Sequence, residues 1–109
     1  MLQLLKVDPR TTAVFVLNDM MAIGAISSVR RIGMKVPEDI SIIGFDDIEL
    51  ATAVNPTLTT MAQPMEEIAE LATNLLIEKK QGNNEDWYNR EHLLSAKLVI
   101  RESTQQLRK

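Results

Sequence analysis

The stretch from Thr12 to Asp47 constrains the fold more than any other part of the chain. Thr12 to Leu17 is a near-continuous β-favouring run, which suits a central parallel strand covered on both faces. Asn18 and Asp19 follow, and either side chain is suited to accept from the orphan N–H groups that open a helix. Ala22, Ile23, Ile26, Val29 and Ile32 then recur at helical spacing, with Arg30 and Arg31 in the last turn, where cations suit the helix dipole. Gly33 stands where a left-handed residue ends a helix. After the turn Val36-Pro37-Glu38-Asp39, Ile40 to Phe45 reads as the returning strand, closed by Asp46-Asp47. Strand, helix and strand over about 30 residues make a βαβ unit, so the expected class is α/β, a three-layer open parallel sheet. Its two polar pairs stand at the carboxyl ends of consecutive strands, the edge at which ligands bind in such sheets.

The flanking segments are shorter. Leu2 to Val7 favours a helix that Asp8-Pro9 stops early, and a helix of that length is marginal alone. Ile48 to Val54 is apolar, Asn55-Pro56 breaks it, and Leu58 to Met61 reads as a third, brief strand. Gln63-Pro64-Met65-Glu66 is a helix start with Pro in the first helical position. Ile68, Leu71, Ala72, Leu75 and Leu76 form one apolar face of that helix, and Lys79-Lys80 with Gly82 end it. A polar loop over 82–86 follows, then a strand whose centre is Leu98-Val99-Ile100, then a polar tail from Ser103 to Lys109.

Composition narrows the chemistry. At 109 residues and 45% hydrophobic content the chain is one modest globular domain at most, with two Phe, one Tyr, one Trp and six Met, so its core is aliphatic and pliable. A formal charge of −3 with scattered Lys and Arg lacks the basic stripe of a nucleic-acid surface. The absence of Cys excludes disulfides and thiolate chemistry and fits a reducing cytoplasm, the expected location. No run approaches the roughly 18 apolar residues of a membrane span. His92, the sole histidine, has no Gly-x-Ser-x-Gly elbow before it and reads as a surface residue, and no G-x-G-x-x-G follows any strand.

The pairs Asn18-Asp19 and Asp46-Asp47 therefore carry the candidate chemistry. Carboxylates and amides at neighbouring strand ends can converge on polyol hydroxyls. They also serve as helix cap and turn residues, and the two roles are compatible. Clustered Asp residues can hold Mg²⁺ for phosphoryl transfer, but no Lys or Gly-rich phosphate loop stands beside Asp46. The apolar residues of 48–54 and the outer face of the 20–32 helix read equally as core or as a self-association patch.

Four segments in order, N-D-M-M-A-I-G-A (18–25), V-P-E-D-I-S-I-I-G-F-D-D-I (36–48), P-T-L-T-T-M-A-Q-P (56–64) and L-V-I-R-E-S-T (98–104), resemble the C-terminal portion of bacterial LacI/GalR-type transcriptional regulators. The resemblance implies a Rossmann-like half of a periplasmic-binding-protein-like type I fold. Residues 1–63 and 93–109 would belong to the C-terminal lobe and 64–92 to the opposite lobe. The DNA-binding headpiece is absent, so the chain is expected to be a fragment that does not bind an operator by itself.

The resemblance further implies an effector, commonly a sugar or related metabolite, held between lobes by Asn18, Asp46 and Gln63, with Asp19 and Asp47 kept as cap and turn. It implies a homodimer through Ile23, Ile26, Ser27, Arg30, Leu50 and Val54, no cofactor, no metal, no membrane and no catalysis. The apolar face of the 65–80 helix should lack its normal partner, and is expected to fold back on the sheet, swap between chains or pack in an oligomer. Two other readings are a small Mg²⁺-dependent enzyme of flavodoxin-like architecture and a transport-type sugar-binding protein.

Overall fold

A computed structural model describes residues 1–82 and 90–107. In chain order the elements are α1 (Leu2–Val7), β1 (Ala13–Phe15), α2 (Asp19–Arg31), β2 (Ser41–Asp46), a 3₁₀ turn (Glu49–Thr52), β3 (Thr59–Ala62), α3 (Met65–Gln81) and β4 (Lys97–Val99). They divide into two compact units, one of Met1–Ala62 with Leu98–Lys109 and one of Gln63–Lys97. The polar loop expected over 82–86 falls, beyond Gly82, outside the described residues.

The first unit is built on the βαβ segment. The four strands run in the order β1-β2-β3-β4, and the first three pair in parallel, Val14 opposite Ile42 and Ile43 opposite Thr59. Helix α2 opens at Asn18 and closes in a Schellman motif: Gly33, at φ +84°, donates its N–H to Arg30 O at 3.0 Å, and Met34 N–H reaches Val29 O at 3.2 Å. Ala22, Ala25, Ile26 and Val29 are its buried face and meet Val36, Ile40, Ile42, Ala51 and Leu58 in one aliphatic core. The Val36-Pro37 and Asn55-Pro56 peptides are cis.

Two expectations for this unit need correction. Among the described residues β1 is an edge strand of this chain's sheet rather than a central one, with β2 its one bonded neighbour; Phe15 is 58% exposed and Leu17, just after it, 74%. Nor is the segment from Ser103 a loose tail. Ser103 is fully buried, donating its Oγ–H to Ile42 O at 2.5 Å and accepting Thr59 N–H at 2.9 Å, while Ile42 N–H bonds to Ser103 O at 2.9 Å. Thr104 and Thr59 hydroxyls pair at 2.9 Å, and Gln105 N–H meets Ser41 Oγ at 3.2 Å. β3 begins opposite Ile43 and so leaves the start of β2 unpaired on that side, and residues 103–105 fill the gap. Their polarity serves backbone partners, not water.

The second unit is dominated by α3. Pro64 is its N-cap and Met65 its first residue, one position later than the sequence signature places the start. Glu66 and Glu67 lie in the first turn, Lys79 and Lys80 in the last, and Gly82 closes it at φ +67°. No residue of α3 is buried. Ile68, Leu71 and Leu75 are half-buried and share a shallow groove with His92 and Leu94, and His92 itself is exposed.

Candidate functional site

The site begins with a residue that has no side chain. A Cβ on Gly44 would stand 3.2 Å from Asp19 Cγ, closer still to Asp19 Oδ1, and 3.0 Å from Leu58 Cδ2. Glycine in the middle of β2 thus leaves room for the Asp19 carboxylate, which is fully buried. Asp19 Oδ1 accepts the Thr60 hydroxyl at 2.6 Å and Oδ2 accepts Ile48 N–H at 2.9 Å. The carboxylate also lies in the first turn of α2, where the dipole favours an anion. One buried anion therefore ties the start of α2 to β3 and to the segment that leaves β2.

This corrects the expectation that Asp19 is the cap. Asn18 occupies the N-cap with extended backbone, φ −153° and ψ 165°, and its Oδ1 accepts Met21 N–H at 2.8 Å. That bond orients the amide, leaving the Asn18 NH₂ as the group that points a donor elsewhere. Local sequence favours both residues as caps; what decides is that Asp19 already has helical backbone and a partner on β3.

Asp46 and Asp47 are more than a turn. They have φ values of +119° and +57°. Asp47 sits in the left-handed region that Asp tolerates, whereas Asp46 lies in a region rarely open to any residue with a Cβ, where a residue costs of order 1–3 kcal/mol. Asp46 is in register with Ala62, and Asp47 N–H reaches Thr60 Oγ1 at 3.4 Å. Arg101 then holds the turn, its Nη2 donating to Asp47 Oδ1 at 2.7 Å and its Nη1 to Leu58 O at 2.9 Å. The ion pair is largely shielded, at 17% exposure for Arg101 and 27% for Asp47.

Asn18 and Asp46 thus belong to one unit, at the same edge of the sheet, just past β1 and at the end of β2. The residue after Asn18 and the second residue after Asp46 are joined by the Asp19–Ile48 bond. Gln63 opens the other unit and is half-buried there. Gly44, Thr60 and Arg101 escape a reading of strand and helix periods, because their roles depend on partners 13 to 54 positions away; a glycine inside an apolar strand is the one local signal. Among the described residues no group of three or more acidic or histidine side chains is disposed to hold a metal ion.

The residues expected at a dimer surface divide. Ser27, Arg30 and Leu50 are exposed, and Ile23 and Val54 are half-buried against the core. Ile26 is only 4% exposed and belongs to the core, so it has no surface to offer a partner. Arg30 Nη1 donates to Asn55 O at 2.8 Å, fixing the head group over the turn that follows the 3₁₀ segment.

Residues 1–104 match the periplasmic binding protein-like domain family. Over 107 residues, 98% of this chain and 31% of the relative, it is 48% identical to the HTH-type transcriptional repressor CytR of Escherichia coli strain K12. The structure of a LacI family transcriptional regulator from Arthrobacter sp. FB24 in complex with lactose superposes with a TM-score of 0.80 at 33% identity, covering 94% of this chain and 39% of that one. The lac repressor dimer bound to operator and the anti-inducer ONPF gives 0.81 at 32% identity, covering 95% and 35%.

These similarities define the class that fold and site point to, and the chain belongs to the periplasmic binding protein-like domain family. Its relatives are LacI-type repressors, as the four sequence segments imply. The chain spans about a third of the length of the curated relatives it matches. No described helix is long and apolar enough to cross a membrane.

Proposed function

We propose that this chain supplies one wall of the effector site, and part of the dimer surface, of a LacI/GalR-type transcriptional repressor. The observation that supports it best is the setting of Asn18 and Asp46 at the ends of adjacent parallel strands in a chain 48% identical to a repressor. The effector is a sugar or related hydroxylated metabolite. Asp46 accepts from two hydroxyls, Asn18 donates through the NH₂ that its capping bond leaves over, and Gln63 contributes near the hinge crossing that ends the 1–63 segment. Residues 1–63 and 93–109 form one lobe and the intervening segment part of the other. The protein works without catalysis or cofactor, in the cytoplasm, as a homodimer through Ile23, Ser27, Arg30, Leu50 and Val54. It reaches DNA through a headpiece outside this chain. Effector binding shifts the population of lobe arrangements, and the dimer passes that shift to the headpieces.

Two titrations test this. Half a cleft binds poorly, so the 109-residue chain should show no saturable binding of ribose or lactose below about millimolar, roughly −4 kcal/mol, by calorimetry; a micromolar constant would contradict a two-lobed site. In the intact regulator Asn18→Asp keeps an oxygen for Met21 N–H but loses the NH₂. It should therefore leave thermal stability within about 0.5 kcal/mol while weakening sugar binding about tenfold.

A further inference from the structure

Asp46 keeps an unfavourable backbone conformation, and such a residue persists only where its surroundings over-determine it. On its N-terminal side it is the last residue of β2, in register with Ala62. On its C-terminal side three attachments hold the next two residues: Thr60 Oγ1 receives Asp47 N–H, Arg101 grips the Asp47 carboxylate, and Asp19 receives Ile48 N–H. The first and third meet at Thr60, whose hydroxyl donates to Asp19 while accepting from Asp47. Arg101 is anchored in turn by Leu58 O and by its own N–H on Thr59 Oγ1 at 2.9 Å, so the guanidinium cannot follow a moving Asp47 without breaking bonds to the β3 segment.

We propose that Asp47 and Arg101 are positioning residues for the effector site: by locking the turn after β2 they hold the Asp46 backbone at positive φ, so that its carboxylate is set before a ligand arrives. The proposal rests on the reading of Asp46 as an effector contact. Its physical advantage is that the ordering cost is met during folding rather than on binding. The effect is carried by the ion pair as a unit, so losing either partner should have the consequence of losing both.

The test separates the turn from the ligand. In the labelled 109-residue chain, the three-bond HN–Hα coupling of Asp46 reads its φ directly. It should be small in the natural chain and rise toward extended-strand values in Asp47→Ala, in Arg101→Met and, no further, in the double variant, with α2 amide shifts unmoved. Arg101→Lys and Asp47→Asn, which keep size and part of the bonding, should give intermediate couplings and cover the case in which a truncated variant unfolds. In the intact regulator, titrated with ribose and with lactose, Asp47→Ala and Arg101→Met should lose about tenfold in affinity for whichever sugar binds. Couplings that stay small in every variant, or affinities that hold in both truncations while Asp46→Ala loses binding, overturn the positioning role and leave the effector reading intact. Affinity unchanged in Asp46→Ala, or no saturable binding of either sugar, overturns the effector reading and the proposal with it.

Discussion

The two units of this chain have similar raw materials and opposite outcomes. The first turns Ala22, Val29, Ile40, Ile42, Ala51 and Leu58 into fully covered residues, whereas the second, with an amphipathic helix of 17 residues, buries none of them. Amphipathic spacing makes a helix able to pack; it does not provide what it packs against. α3 has good ends instead, acids in its first turn, lysines in its last and a left-handed glycine, which are local devices worth a few tenths to about 1 kcal/mol each. On this basis the first unit should unfold cooperatively, and α3 should depend more on its own helical propensity and caps.

Substitutions can break that contrast, and the largest effects belong to the core. Ile42→Ala should cost about 2–5 kcal/mol in urea-induced unfolding, the range for truncating a fully buried aliphatic chain. Asp19→Ala should cost about 2–3 kcal/mol, since it removes the partner of the buried Thr60 hydroxyl and of the half-buried Ile48 N–H. Gly82→Ala, at φ +67°, should cost about 1 kcal/mol and show as lost helicity without a shift in the main unfolding midpoint. Leu75→Ala in α3, under about 0.5 kcal/mol, should be the smallest, because Leu75 is only half-buried in a shallow groove and alanine favours the helix at least as well. Equal costs for Ile42→Ala and Leu75→Ala would show that α3 is as firmly packed as the sheet. Amide exchange sharpens the same point: Ile42 and Gly44 should exchange at least about a hundredfold more slowly than the centre of α3.

Much of the fold is legible in the sequence because it is local. The period of Ala22 to Ile32, the left-handed Gly33 and Gly82, and the alternation of apolar strands with turn residues all act within a few positions. The chain's own edge is not local: Thr12 to Leu17 has the composition of a central strand, but its place in the sheet depends on which strands pair with it. The same holds for Ser103, which looks like tail chemistry and is a buried cross-link to Ile42 and Thr59. At the site, Asn18 and Asp46 are visible as polar residues at strand ends. The exchange of roles between Asn18 and Asp19 is set instead by Thr60 and Ile48, and the positive φ of Asp46 by a turn closed from Arg101. Ile26 shows the same limit in reverse, since helical spacing cannot tell an inward isoleucine from one facing a partner.

That difference between the sheet unit and the helix bears directly on the proposed function, because under that proposal a sugar contact on the sheet edge would be fixed before binding. The most direct measurement is calorimetric titration of the intact regulator and its Asp46→Ala variant with the sugar that binds it. Loss of one well-made hydrogen-bonding carboxylate should weaken binding tenfold or more, about 1.4 kcal/mol, with the folded state retained. An unchanged dissociation constant would remove Asp46 from the site and contradict the assignment of this sheet edge as an effector wall.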